Sequence, residues 1–131
     1  MTGHRPPGPG PAERTQPTPV ILVAAVASVA EADQAIAAGA DMIDDSGLSA
    51  RDTAALRARH PGLRPWHGSP VAADADGAGT PAAVVATAAL LAWLGTPAIR
   101  TRHVLPVRRA IDMTCTIAGT RLPALTIRGL A

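Results

Sequence analysis

Residues 20–118 alternate between apolar runs of strand length and longer segments in which apolar side chains recur at helical spacing. The first run, residues 20–26, is continuously apolar and rich in β-branched residues, which is typical of a strand buried on both faces. Shorter runs at residues 41–44, 63–66 and 98–104 predict three more strands, the one at 63–66 being the weakest. A helix-start signal follows each run. This order predicts an α/β protein with a parallel sheet and right-handed crossovers.

Capping residues mark where the helices begin and end. Ser28, with Glu31 three residues later, forms a capping box. Ser49 is placed to cap the next helix, and Thr80 followed by Pro81 is a strong start signal. Glycines stand where left-handed C-caps belong. The predicted helices cover residues 29–38, 50–60, 81–94 and 106–117, and residues 67–79 are predicted as a loop.

The two ends of the chain differ in composition from the segment between them. Residues 1–19 are rich in Pro and Gly and cannot bury enough apolar surface to become ordered, so we expect a disordered arm. Residues 119–131 are expected to form a loose tail, which leaves one domain at residues 20–118. No basic region precedes an apolar stretch at the start, so no signal peptide is expected. The single Cys115 suits a reducing, cytoplasmic location.

Length and composition narrow the fold and the function. At 131 residues the chain is shorter than the roughly 200 residues that a complete (β/α)₈ barrel needs. We therefore expect a partial TIM-barrel-like fold of about four β/α units, or a small open sheet. The core must consist of small aliphatic residues, because the chain has two Trp and no Phe or Tyr. Such a core is expected to gain stability from a partner subunit.

Charge and hydropathy weigh against nucleic acid and membrane as partners. The net charge is only +2, and the Arg residues are scattered without interleaved aromatic residues, so nucleic-acid binding is not predicted. Residues 82–94 are almost entirely apolar, but this run is too short to span a bilayer. The run therefore predicts a buried helix.

Polar residues at the carboxyl ends of the predicted strands are candidate ligand contacts, because parallel α/β proteins bind ligands at that edge. Asp44 and Asp45 end the second strand. Adjacent acids point to opposite sides, so one can accept hydrogen bonds from a heterocycle while the other meets solvent or caps the next helix. A simple capping role for the pair is the alternative. No third ligand is fixed nearby, so no metal site is predicted.

A second candidate lies on the fourth strand. Arg100 and Arg102 are two residues apart, so both can converge on one phosphate or carboxylate, next to a helix N-terminus near Pro106. If that face is the outside of the fold, they are solvated charges instead. His67 follows the third strand and is either a general base or an ordinary loop residue, since no Ser or Cys nucleophile motif accompanies it.

Four segments, in order, resemble the dihydropteroate synthase family. Residues 38–48 (AGADMIDDSGL) are similar to the family segment GADIINDVSGL with one position deleted. Residues 66–70 (WHGSP) resemble a shortened form of its next strand, MH-x-x-G-x-P. Residues 79–83 (GTPAA) resemble the GT-x-AA that opens its last long helix, and residues 100–104 (RTRHV) resemble its closing RVHDV strand.

The resemblance implies a TIM-barrel origin and a role for particular residues. The family joins a pterin diphosphate to para-aminobenzoate and displaces pyrophosphate. Its pterin-binding Asn falls on Asp44, next to Asp45, and the Arg and His that hold the phosphates fall on Arg100 and Arg102. His103 stands where the family has Asp, and is a third candidate phosphate contact. Mg²⁺ would enter only with a diphosphate substrate, and no other cofactor is implied.

Several family motifs are missing from the chain. The strand that should end in an Asp-Thr pair has no carboxylate, and a chain without Lys cannot supply the family's Ser-Arg-Lys loop. We therefore expect a dihydropteroate synthase-like pterin-binding protein linked to folate biosynthesis, with weak or no transferase activity alone. Its expected partners are a phosphorylated small molecule and a second subunit, identical or different. The alternative is a regulatory or structural half-barrel that partners a full-length synthase or has no ligand.

Overall fold

Strands and helices alternate along the chain. The computed structural model describes Gly3 and residues 19–120, so most of the expected arm and most of the expected tail lie outside the described residues. The strands are β1 (Ile21–Ala25), β2 (Met42–Asp44), β3 (Ala73–Asp74) and β4 (Ala98–Thr101). The helices are α1 (Val29–Ala37), α2 (Ala50–Arg59), α3 (Pro81–Trp93) and α4 (Val104–Ile117), with a short 3₁₀ turn at Asp76–Ala78.

The four strands form one parallel sheet in the order β2-β1-β4-β3. The first strand therefore lies between the second and the last, although β1 and β4 are far apart in sequence. In this register Ala25 on β1 pairs with Asp44, and Val23 pairs with Arg100. The prediction of an α/β protein with a parallel sheet is confirmed.

All four helices pack on the same face of the sheet. Val20, Leu22, Ala24 and Val26 occupy alternate positions along β1 and its ends, so their side chains point to one face. They join a single buried cluster to which every helix contributes. The helical members are Ala32, Ala35, Leu56, Val84, Ala88, Ala92, Val104, Val107 and Ile111. The core is thus built from small aliphatic side chains, as the composition requires.

The prediction of a strand at residues 63–66 was wrong, as was the prediction of a loop over residues 67–79. The first segment makes one isolated bridge, between Ile43 and Pro65, because proline has no N–H with which to continue a ladder. The strand that completes the sheet is β3, only two residues long, which pairs with β4. A two-residue strand that ends in Asp74 has no apolar run for a sequence pattern to detect.

The predicted helix starts are confirmed for three helices. The hydroxyls of Ser28, Ser49 and Thr80 accept hydrogen bonds from the backbone N–H three residues ahead, at 3.1–3.2 Å. The fourth helix begins at Val104, two residues earlier than predicted. Pro106 is tolerated inside its first turn, where the N–H groups have no partner within the helix.

The prediction of a buried helix over residues 82–94 holds for only one side of α3. Val84, Ala88 and Ala92 face the core, but Leu90 and Trp93 on α3 and Leu94 at its end are exposed. No helix within residues 19–120 is long and apolar enough to cross a bilayer.

Candidate functional site at the carboxyl edge of the sheet

A cavity of about 300 Å³ lies where the carboxyl ends of β1, β2, β3 and β4 meet. Acidic and basic side chains line it, together with the segments that follow β1 and β2. The charged residues are Asp44, Asp74, Asp76, Arg100 and Arg102, and the other lining residues are Ala25, Val26, Ala27, Ser46 and Gly47. The edge predicted to bind a ligand is therefore a polar cavity.

Asp44 is the most buried charged group in this cavity, with 5% of the residue exposed. One carboxylate oxygen accepts the Ser46 N–H at 3.1 Å, and the other accepts Nε–H of Arg100 at 2.8 Å. Burial by itself raises the pKa of Asp44, but the hydrogen bonds from Ser46 and Arg100, with the positive charge of Arg100, hold the pKa below its ordinary value. The carboxylate is therefore ionised at neutral pH.

The two adjacent acids point in different directions, as an extended strand requires. Asp45 turns away from the cavity, and its carboxylate lies 3.7 Å from the Arg57 guanidinium on α2. Of the two predicted pterin contacts, the structure brings only Asp44 into the cavity.

Arg100 connects two carboxylates across the sheet edge. Its Nε bonds to Asp44 on β2, and its Nη1 lies 3.6 Å from the carboxylate of Asp74 on β3. Arg102, just beyond β4, is 75% exposed at the side chain, and its Nε lies 3.5 Å from the Asp76 carboxylate. The two arginines therefore line one cavity, and each is next to an acid.

Asp76 is a member of the site that the sequence pattern did not identify. Its carboxylate accepts the Thr101 hydroxyl at 2.6 Å and the Arg102 N–H at 2.9 Å, which ties the 3₁₀ turn to the end of β4. Burial raises its pKa, but these hydrogen bonds and the charge of His103 hold the pKa below its ordinary value. The only sequence signal was two acids in a segment predicted as a loop.

The two candidate histidines lie outside this cavity. His103 is the N-cap of α4 and lines a neighbouring cavity of about 460 Å³ between α1 and the start of α4. His67 is exposed in the segment after the isolated bridge. The structure thus groups Asp44, Arg100 and Arg102 in the carboxyl-edge cavity. His103 shares the neighbouring cavity with Arg102, and His67 lines neither of the two.

Close packing of the chain after β2 shapes the cavity wall. A Cβ added to Gly47 would lie 2.8 Å from the carbonyl oxygen of Val26, so no side chain fits between this loop and the end of β1. Gly47 thereby allows the loop with Ser46 to approach β1 and to direct its N–H at Asp44.

The chemistry available at this edge is hydrogen bonding and charge pairing. The carboxylates can accept N–H groups, and Arg102 offers an exposed guanidinium for an anion. Within the described residues there is no group of three or more His, Cys, Asp or Glu that could hold a metal ion. The chain has no significant match among protein-family models, curated proteins or solved structures.

Proposed function

We propose that the carboxyl-edge cavity binds a phosphorylated heterocycle of the pterin diphosphate type, and that the chain is a dihydropteroate synthase-like pterin-binding protein connected with folate biosynthesis. The observation that carries the proposal is the ionised carboxylate of Asp44, held by Arg100 with Arg102 at the same edge. A carboxylate in this position suits the amino and N–H groups of a pterin ring. An exposed guanidinium nearby suits a phosphate.

The strand order supports a barrel origin. The first and last strands of the chain are neighbours, and all helices cover one face, which is the arrangement found in a (β/α)₈ barrel. Four β/α units, β1α1 to β4α4, would then represent the part of a barrel that surrounds the junction of its first and last strands. The opposite sheet face, with Val23 and Met42, corresponds in this proposal to the barrel interior.

The chemistry at the edge favours binding over catalysis. The end of β1 and the segment after it contribute only Ala25, Val26 and Ala27 to the cavity, so no carboxylate stands there to act on a substrate. The chain has no Lys. We therefore propose weak or no transferase activity without a second chain.

A second candidate function is a regulatory or structural partner of a full-length synthase, without a ligand of its own. The observation that favours it is that Arg100 is already paired with Asp44 and lies close to Asp74. An anion would have to compete with these carboxylates for the guanidinium.

Calorimetric titration of the folded protein with a pterin pyrophosphate, and separately with pyrophosphate, tests the proposal. We expect micromolar binding of the pterin compound, about −8 kcal/mol. Arg102→Ala should weaken it at least about tenfold, since a hydrogen bond to a charged group contributes about 1.5–3 kcal/mol. Arg57→Ala is the matched control, because Arg57 is also exposed but pairs with Asp45 away from the cavity. Absence of heat with both ligands would favour the structural candidate.

A further inference from the structure

Helix α3 has a solvent-facing side without any charge. None of its 13 residues is ionisable. Val84, Ala88 and Ala92 face the core, so at about 100° per residue the opposite side is formed by positions near 180° from Ala88. A helix that is apolar all round is normally buried all round. The outward positions on α3 and its C-cap are Ala82, Ala83, Ala86, Leu90, Trp93 and Leu94.

Helix α4 extends this apolar surface on one flank. Arg108 reaches the Gly39 carbonyl and Asp41, beyond the end of α1, so this flank of α4 faces α1. Met113 and Ile117 lie about 140° and 180° around the helix from Arg108, on the flank towards α3. We call Leu90, Trp93, Leu94, Met113 and Ile117 the α3–α4 patch.

The patch is large enough to form the centre of a protein interface. Its five side chains are 58–72% exposed. We multiply each exposed fraction by the full surface area of the residue, up to ~250 Å² for Trp and less for Leu, Ile and Met. The five residues together then expose roughly 400–500 Å². The five residues alone thus cover more than half of the ~800 Å² per partner of a standard interface, and the outward alanines add to this area. This area suits a reversible dimer better than an obligate one.

The absence of charge restricts the occupant. Nucleic acid, an acidic or basic peptide and an anionic lipid surface would each need opposite charge at the contact, and α3 has none. What complements this surface is another uncharged apolar face. A second copy of the chain presents one at equal concentration, and two-fold symmetry makes the same patch serve both sides.

The distribution of side-chain size along α3 is self-complementary. The outward residues in the first half are alanines, and those in the second half and at the C-cap are Leu or Trp. If two copies of α3 cross antiparallel at the level of Ala88, each large side chain meets an alanine of the other copy, which lets the helices interdigitate. The facing pairs are Ala82 with Leu94, Ala83 with Trp93, and Ala86 with Leu90.

We infer that two copies of this chain associate through the α3–α4 patch, with the α3 helices antiparallel about a two-fold axis that passes the outer side of α3 at the level of Ala88. This inference is independent of the proposed ligand, because the cavity lies at the carboxyl edge of the sheet and the patch lies on the outer surface of the helices.

Sedimentation equilibrium of the full chain tests the association. Between about 1 and 500 µM, a range suited to micromolar affinity, the mass should rise from 13.2 kDa towards twice that value. Leu90→Glu places two like charges near the axis and should weaken dimerisation about 100-fold. Val71→Glu is the matched control, because it also replaces an exposed aliphatic side chain with a carboxylate. Val71 is 81% exposed and lies outside the patch. It should dimerise like the parent chain, and circular dichroism should show both variants folded.

A size exchange tests the antiparallel register. Ala86→Leu should weaken the dimer because it sets Leu against Leu, and Leu90→Ala should weaken it by removing the large partner. The double variant exchanges the two and should restore affinity to within about threefold of the parent chain. A parent chain that is monomeric throughout, or Leu90→Glu as dimeric as Val71→Glu, would overturn the inference. If the double variant instead loses as much dimer affinity as the two single variants together, the antiparallel register of α3 is wrong.

Discussion

Asp44 is the side chain on which the carboxyl-edge cavity most depends. It is buried, and its two oxygens connect three parts of the chain: its own strand, the turn after it and β4. Its neighbour Asp45 has the same chemistry, but its carboxylate lies 3.7 Å from the largely exposed Arg57. The pair therefore offers a comparison in which the side chain is constant and the environment differs.

Asp44→Asn should lower the free energy of unfolding by about 2 kcal/mol, because it leaves the partly buried Arg100 guanidinium without its closest counter-charge. Asp45→Asn should cost less, about 0.5 kcal/mol, since its contact with Arg57 is longer, at 3.7 Å, and the Arg57 side chain is largely exposed. Urea unfolding of both variants measures the difference. Equal losses would mean that the Asp44–Arg100 contact does not stabilise the fold.

The secondary-structure elements are local in origin but are positioned by close backbone contacts. Three helices begin at side-chain caps that are visible in the sequence. The loop after β2, in contrast, is fixed by its approach to β1 at Gly47, where even a methyl group would meet the Val26 carbonyl.

Gly47→Ala should destabilise the protein by about 2 kcal/mol, because the added methyl group collides with backbone that cannot rotate away. Gly62→Ala is the control: nothing lies within 4 Å of its added Cβ. This change should be neutral or slightly stabilising through the unfolded state. Thermal unfolding of both variants tests the expectation, and a neutral Gly47→Ala would show that the loop can move away from β1.

For the molecule as a whole, two carboxylates make stability depend on pH. The pKa values of Asp44 and Asp76 are held below the ordinary value of about 3.9 in the folded chain. A lowered folded-state pKa gives stabilisation that is complete above the unfolded-state pKa and is lost as the pH falls through the folded-state pKa. Both carboxylates form hydrogen bonds at the carboxyl edge of the sheet. Protonation at low pH should therefore weaken the contacts at that edge first.

The free energy of unfolding should therefore fall as the pH is lowered below about 4. Asp76→Asn removes one of the two titrating groups, so its stability should fall less steeply over this range than that of the parent chain. Urea unfolding at a series of pH values measures both slopes. Identical slopes would show that the Asp76 contacts with Thr101 and Arg102 do not favour its ionised form.

The features that the sequence predicts are those determined by interactions between residues close together in the chain. A capping hydroxyl bonds to an N–H three residues away, and an apolar run marks a buried strand within a few positions. The caps at Ser28, Ser49 and Thr80, the α/β class and the parallel sheet were therefore predictable. The positions of β3 and of Asp76 were not, because a two-residue strand is defined by its partner and not by its own pattern.

Contacts between distant residues arise from the fold. The Asp44–Arg100 bond joins residues 56 positions apart, and it exists because β1 brings β2 and β4 to its two sides. The sequence showed that these strands end in charged residues, but not that an acid and a base would pair rather than both face a ligand. Likewise, the composition of residues 82–94 showed an apolar helix, while its packing on one side of the sheet left the opposite side exposed. Short-range hydrogen bonds and periodicity are encoded within a few residues, whereas pairing and burial depend on which surfaces meet after the chain folds.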